Sequence, residues 1–293
     1  MSLQIEFPRT DRPPVVVRGL GDVGSAVAWL LFREGWSVVL QDSPQPTALR
    51  RGMALADAAF DGSAVLEGVT GCRADDLERL DRLIGDRTAI PVVTWPVPDL
   101  LEAVAPAVLI DARMRKRTTP EIQRGLAPLT IGLGPNFTAG KTTDLVIETS
   151  WGPHLGDVIR RGSALPLSGE PRPIDGIGRE RCVYAPGAGR FETDQAIGAI
   201  VRKGDALAAI GDTPLCAPLD GKIRGLVRAG VPVSEGTKVI EIDPRGAAAV
   251  VHGLGERPQR IAEAVLRVVE LDDVYSEPRP APRQARGEEK ASC

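Results

Sequence analysis

The feature that most constrains this chain is a glycine loop placed between a strand and a helix. Val15-Val16-Val17-Arg18 is a short apolar run, and Gly19-Leu20-Gly21-Asp22-Val23-Gly24 follows it. Ser25 to Phe32 then reads as a helix that Gly35 stops, and Ser37-Val38-Val39-Leu40 is a second apolar run. A GxGxxG string alone is weak. Strand, glycine loop, helix and strand within about 30 residues is the arrangement that rests a dinucleotide pyrophosphate on a helix N-terminus. Gly19 permits the tight turn, Gly21 lets a phosphate approach the backbone, and the helix start attracts anionic charge. Asp42 closes the second strand, where such units place an acid on a ribose hydroxyl. The competing reading is that the glycines only let helix and strand pack closely.

The pattern continues to about residue 147. Ile90-Pro91-Val92-Val93, Val108-Leu109-Ile110 and Leu129-Thr130-Ile131 are further candidate strands among helix-like segments, with Leu145-Val146-Ile147 less marked. This alternation predicts an α/β fold, a Rossmann-like and mostly parallel sheet over residues 13–150. Ala64 to Cys72 alternates apolar and polar residues and reads as a marginal extended excursion. Residues 151–180 are rich in Gly and Pro and read as a long connection.

Other residues gather at the expected carboxyl edge of the sheet. Arg50 and Arg51 are adjacent cations suited to a phosphate or pterin-type anion, or equally to a solvated helix face. Asp111 and Arg113 follow a strand. A second glycine loop, containing Gly132, Gly134, Gly140 and Lys141, resembles a Walker A motif. Its glycine spacing is one residue too long, Gly134 standing one position too far from Gly140, and Leu145-Val146-Ile147 looks like a strand where a P-loop requires a helix, so an ATPase is rejected. The cofactor-binding set expected from these features is Gly19, Gly21, Asp22, Gly24, Asp42, Arg50, Arg51, Asp111, Gly132, Gly134 and Lys141. The residues assign no catalytic side chain and no metal ligand.

The second half contains a repeat. Ala185-Pro186-Gly187-Ala188-Gly189 recurs 32 residues later as Ala217-Pro218-Leu219-Asp220-Gly221, and Val201-Arg202-Lys203-Gly204 recurs at the same offset as Val233-Ser234-Glu235-Gly236. Each half is too small to bury a core alone, so two interlocking halves are expected. The pattern resembles the lipoyl/biotinyl barrel-sandwich family, which predicts a small all-β barrel-sandwich domain over residues 181–243. In that family a hairpin-tip lysine receives the cofactor. The tip here is Gly211-Asp212-Thr213-Pro214, so no biotin or lipoate attachment is expected. A helix is predicted over 259–270 within a C-terminal segment of residues 244–271, with Ile261, Ala264, Val265 and Val268 on one face. Residues 272–293 are too polar and Pro-rich to bury a core and are expected to be disordered.

Composition removes several function classes. The formal net charge is −3, which gives no footprint for nucleic acid or an acidic membrane surface. No stretch approaches the roughly 18 apolar residues of a spanning helix, and the N-terminus lacks a signal-peptide apolar region. A cytoplasmic protein is expected. The four cysteines, Cys72, Cys182, Cys216 and Cys293, form no CxxC pair, and the only two histidines, His154 and His252, leave little for metal ligation or a Ser-His-Asp triad.

Taken together, the two halves resemble the selenium-dependent molybdenum hydroxylase accessory family (YqeB-like), whose Rossmann part is similar to maturation factors of xanthine and carbon monoxide dehydrogenases. The residues that carry this are Arg18-Gly19-Leu20-Gly21-Asp22, Pro46-Thr47-Ala48-Leu49-Arg50-Arg51, Gly132-Leu133-Gly134-Pro135 with Phe137, Ala139 and Gly140, Val146-Ile147-Glu148-Thr149, and Gly162-Ser163-Ala164-Leu165-Pro166. The resemblance implies an accessory protein that holds a nucleotide or the molybdenum cofactor, as molybdopterin or its cytidine dinucleotide form, for a molybdenum hydroxylase client. A homodimer is compatible with it. Two alternatives stay open: an NAD(P)-dependent oxidoreductase with a fused barrel, and a non-catalytic interaction protein with a vestigial nucleotide site.

Overall fold

The computed structural model describes residues 14–115, 118–167 and 169–271. The chain opens with β1 (Val15–Arg18), α1 (Asp22–Arg33) and β2 (Val38–Gln41), then a 3-10 turn at Arg51–Met53 and a one-turn helix α2 (Ala58–Asp61). A hairpin of β3 (Ser63–Leu66) and β4 (Val69–Arg73) leads to α3 (Leu77–Asp86), β5 (Ile90–Val93), α4 (Val97–Val104) and β6 (Val108–Asp111). Then come β7 (Leu129–Leu133), β8 (Thr138–Ala139), β9 (Leu145–Ile147), β10 (Val158–Ile159) and β11 (Gly162–Ser163).

Nine of these strands form one sheet in the order β10-β9-β7-β6-β1-β2-β5-β4-β3. The strands β1, β2, β5 and β6 are buried along their whole length, as strands covered on both faces must be. Strand β1 lies between β2 and β6 and is parallel to both. The chain therefore runs outward on one side of β1 and then returns to its other side. That reversal opens a crevice at the carboxyl ends of β1 and β6.

The expectation of a mostly parallel Rossmann-like sheet followed by a lipoyl-type barrel-sandwich domain needs correction on both parts. The large sheet is mixed, because both of its edges are antiparallel: β3 against β4, and β10 against β9. The first edge is the segment read as a marginal excursion. Glu67 and Gly68 both take positive φ, 44° and 77°, as a two-residue hairpin turn requires, and a sequence without Asn-Gly or Asp-Gly gives little warning of it.

The second half is built from β12 (Cys182–Tyr184), β13 (Gly189–Glu192), β14 (Ile200–Val201), β15 (Ala206–Ile210), β16 (Thr213–Cys216), β17 (Gly221–Leu226), β18 (Val231–Val233) and β19 (Lys238–Asp243). They make two four-stranded antiparallel sheets, β12-β19-β17-β14 and β16-β15-β13-β18, so that each sheet draws strands from both copies of the repeat. No detached lipoyl-type module results. The core around Phe191, Ile223 and Ile240 takes in Leu49 and Phe60 from the first half. The Leu226 amide donates to the Leu49 carbonyl at 2.7 Å, so the small sheets are stitched to the segment after β2.

The chain ends its described course in α5 (Glu256–Leu271), which returns to the first half. Ile261, Ala264, Val265 and Val268 are buried in one cluster with Val23, Val27 and Leu31 of α1. This is the apolar face expected from its 3.6-residue period. Among the described residues no helix is long and apolar enough to cross a membrane. Cys293 and the tail expected over 272–293 lie outside the described residues.

Candidate functional site

The three glycines of the first loop do different work. Gly19 has φ +115°, and a Cβ there would lie 2.8 Å from the Ala112 carbonyl, so it lets β1 and β6 close on each other. A Cβ on Gly24 would stand 1.9 Å from the Gly19 carbonyl oxygen, so Gly24 seats α1 on the loop. A Cβ on Gly21 would meet nothing within 4 Å. Close packing therefore accounts for Gly19 and Gly24 and leaves Gly21 unexplained by it.

Gly21 is the N-cap of α1 in extended backbone and makes no side-chain cap. The Leu20 amide donates to Asp42 Oδ2 at 2.9 Å, and the Val23 amide donates to Asp22 Oδ1 at 3.1 Å. The amides of Gly21 and Asp22 have no partner among the described residues. These are orphan donors at the positive end of a helix, the usual seat of an anion. Asp42 follows β2 as expected, and its other oxygen accepts from the Ser43 amide at 2.7 Å.

Above this loop lies a pocket of about 810 Å³. Gly19, Gly21 and Asp22 line one side, Asp42 and Ser43 another, Trp95 and Pro96 a third. Arg18 and Arg113 also line it, in a polar cluster with the buried Asp111 and Gln123 and the more exposed Glu121. Arg18 Nη1 is 2.9 Å from Glu121 Oε1 and donates to Gln123 Oε1 at 3.0 Å, while Arg113 grips Asp111 and Glu121. Burial lowers the Arg18 pKa, with Arg113 adding to the effect. Burial opposes ionisation of Glu121, yet its backbone hydrogen bond together with Arg113 and Arg18 pulls it down to about 2. Asp111 is thus a brace for two arginines that line the pocket.

The remaining expected residues are placed elsewhere. Arg50 donates to both oxygens of Glu241 on β19 and pairs with Asp22 at 3.1 Å. Burial opposes its charge, but Glu241 and Asp22 outweigh it and raise its pKa. Arg51 donates from Nε to the Leu226 carbonyl at 2.8 Å and pairs with Asp57 at 2.7 Å. The arginine pair therefore ties the two halves together, and Arg50 also neutralises the carboxylate nearest the open loop. Gly132 and Gly134 serve close packing: a Cβ would strike the Phe137 ring at 2.3 Å or Thr149 Oγ1 at 2.5 Å. Lys141 is exposed and lines neither of the two large cavities.

A second cavity, of about 960 Å³, was not foreseen from the sequence. It lies among Thr149 to Trp151, Leu165 to Leu167, Glu170 to Asp175, β17, β19 and the first turn of α5. Its residues are scattered over more than 200 positions, and no local pattern announces them. Among the described residues no group of three or more His, Cys, Asp and Glu is placed to hold a metal ion.

No family model matches the chain. It is 38% identical over 255 residues to the Uncharacterized protein YqeB of Escherichia coli (strain K12), covering 87% of this chain and 47% of that protein. The chain thus spans about half the length of the curated relative it matches. Solved structures that match include an aspartoacylase family protein from Mesorhizobium loti, at 16% identity and TM-score 0.24, covering 80% of this chain and 86% of that one. Others are the product-bound Ectoine utilization protein EutE from Ruegeria pomeroyi, at 15% identity and TM-score 0.24, covering 79% and 85%, and a succinylglutamatedesuccinylase/aspartoacylase from Rhodobacter sphaeroides, at 17% and 0.23, covering 80% and 86%. At these TM-scores the likeness carries no argument about the chemistry of this chain. The expectation of a molybdenum hydroxylase accessory protein, with its selenium and molybdenum associations, is corrected here. The relative's name assigns no function, and none of these matches is named for molybdenum or selenium chemistry. The oxidoreductase and pure-interaction alternatives gain no support from either comparison.

Proposed function

We propose that this chain binds a nucleotide-type ligand non-covalently in the 810 Å³ pocket over residues 19–24, a phosphate resting on the start of α1. The observation that carries this reading is the open face of Gly21 beside two unpartnered amides, where its neighbours Gly19 and Gly24 are filled by packing. Asp42 retains acceptor capacity for a ribose hydroxyl, since each carboxylate oxygen takes more than one hydrogen bond. Trp95 supplies a planar face for a base in the same pocket. Arg50 supports the reading from outside, because its pair with Asp22 removes the repulsion a phosphate would otherwise meet. A cytoplasmic setting belongs to the same reading, supported by the free thiols of Cys72, Cys182 and Cys216.

Thermal-shift measurements over a panel of mono- and dinucleotides test it. At least one should raise the unfolding temperature in a concentration-dependent way, as any ligand that binds only the folded chain must. A panel without any such response overturns the reading.

A further inference from the structure

The 960 Å³ cavity between the large sheet, the small sheets and α5 carries more positive charge than its own structure uses. Seven cationic side chains line it against four carboxylates. Directly behind the wall, Glu241 is fully buried and serves three of those cations at once, Arg50, Arg181 and Lys238. Asp243, also fully buried, serves Arg224 and Arg245. Arg257 has no carboxylate partner among the described residues; its Nε donates to the Thr149 carbonyl at 2.6 Å.

Two observations show that the compensation is incomplete. Burial lowers the pKa of Arg257, and Arg50 adds to that effect despite Asp22 and Glu148. Burial likewise lowers Arg224, with Arg50 again contributing, despite Asp243 and Glu241. In addition, Arg181 and Arg224 each keep a buried Nε without a hydrogen-bond partner among the described residues. Buried donors left in that condition are costly unless something balances their charge. The first turn of α5, Glu256 to Pro258, faces the same space and adds the positive end of a 16-residue helix.

The lining also includes apolar surface. Trp151, Leu165 and Leu167 are all exposed hydrophobics and all line this cavity, with Arg172 stacked 4.2 Å from the Trp151 ring centroid. We infer that this cavity is a binding site for a small organic polyanion: adjacent anionic oxygens, as in a diphosphate or a di- or tricarboxylate, meet Arg224, Arg245, Lys238 and Arg257, and the carbon skeleton rests on Trp151 and Leu165. Guanidinium groups suit both oxyanion types because their forked donors bind paired oxygens. The site is distinct from the glycine-loop pocket. The Asp22–Arg50 pair stands between the two, Asp22 lining both and Arg50 only the basic one.

The test titrates inorganic pyrophosphate and citrate by calorimetry at low salt into the Gly21→Asp variant, whose glycine loop is closed, so that failure of the nucleotide reading leaves this experiment intact. Binding of at least one anion is expected, and the stronger of the two names the oxyanion type. Adding Arg257→Gln should weaken it about ten-fold or more, the scale of a lost charge-assisted contact. Arg245→Gln, at a more exposed position, should weaken it in the same direction and guards against loss of the first variant to misfolding. Absence of binding by both anions overturns the inference, as does affinity unchanged by both arginine substitutions. Binding present in the wild type and lost in Gly21→Asp also overturns it, since the anion would then belong to the glycine loop.

Discussion

Replacing Glu241 with glutamine keeps the shape of the side chain and removes one negative charge from beneath three cations. The carboxylate is fully buried; it accepts from Arg50 at 3.1 and 3.3 Å, from Lys238 at 2.7 Å, and from Arg181. Burial opposes its ionisation, but Arg50, Lys238 and Arg181 outweigh that and hold its pKa well below the carboxylate range. In Glu241→Gln, Arg50 retains Asp22 and Arg181 retains the Arg172 carbonyl, while Lys238 loses its ion pair. Breaking a buried ion pair on one side costs about 3–5 kcal/mol. At about 2–4 °C per kcal/mol for a chain of this size, the unfolding temperature should fall by roughly 6–20 °C. Urea unfolding followed by far-UV circular dichroism measures the loss directly. If Glu241 anchors the two halves as described, the midpoint falls and the slope stays constant. A loss below about 1 kcal/mol, the range of an exposed pair, would refute the reasoning.

Gly24→Ala should destabilise strongly, because its Cβ would stand 1.9 Å from the Gly19 carbonyl oxygen, whereas Gly21→Ala should change the unfolding midpoint little; equal effects in a thermal melt would contradict the roles assigned to the two glycines. Acid should weaken the fold, since Glu241, Asp243 and Glu121 all titrate below their usual values in the folded chain. The stability they contribute is present above the unfolded carboxylate pKa of about 4 and is lost as pH falls through the folded values, so the urea midpoint should begin to drop below about pH 5 and keep falling to about pH 2. Ile261→Ala removes a fully buried side chain between α5 and α1 and should cost about 2–5 kcal/mol in the same assay. A cost near zero would mean that α5 is not held against α1.

What could be read from the sequence was what depends on neighbours along the chain. The strands Val15–Arg18, Ile90–Val93 and Leu145–Ile147 coincide with their apolar runs, and α5 displays the face its periodicity predicts. The β3–β4 hairpin was missed because Glu67 and Gly68 form its turn without the usual Asn or Asp. The small sheets were read as a detached module because nothing local shows that Leu49 and Phe60 complete their core. The site divides in the same way. Glycine spacing located the loop and Asp42, but only coordinates show that Gly24 is a packing contact and Gly21 an open one. Arg50 and Arg51 looked like anion ligands because their partners, Glu241 and the Leu226 carbonyl, lie 191 and 175 residues away. The basic cavity had no local signal at all, its charges being assembled by the fold from β17, β19 and α5.

The central claim is that the open face of Gly21 is a phosphate seat. Calorimetric titration of the nucleotide that gives the largest thermal shift into wild type and into Gly21→Asp tests it most directly. The account predicts saturable binding to wild type and at least ten-fold weaker binding to the variant at unchanged far-UV circular dichroism, since the new carboxylate occupies the space over the Gly21 and Asp22 amides. Equal affinity in the two proteins would contradict it and place the nucleotide elsewhere.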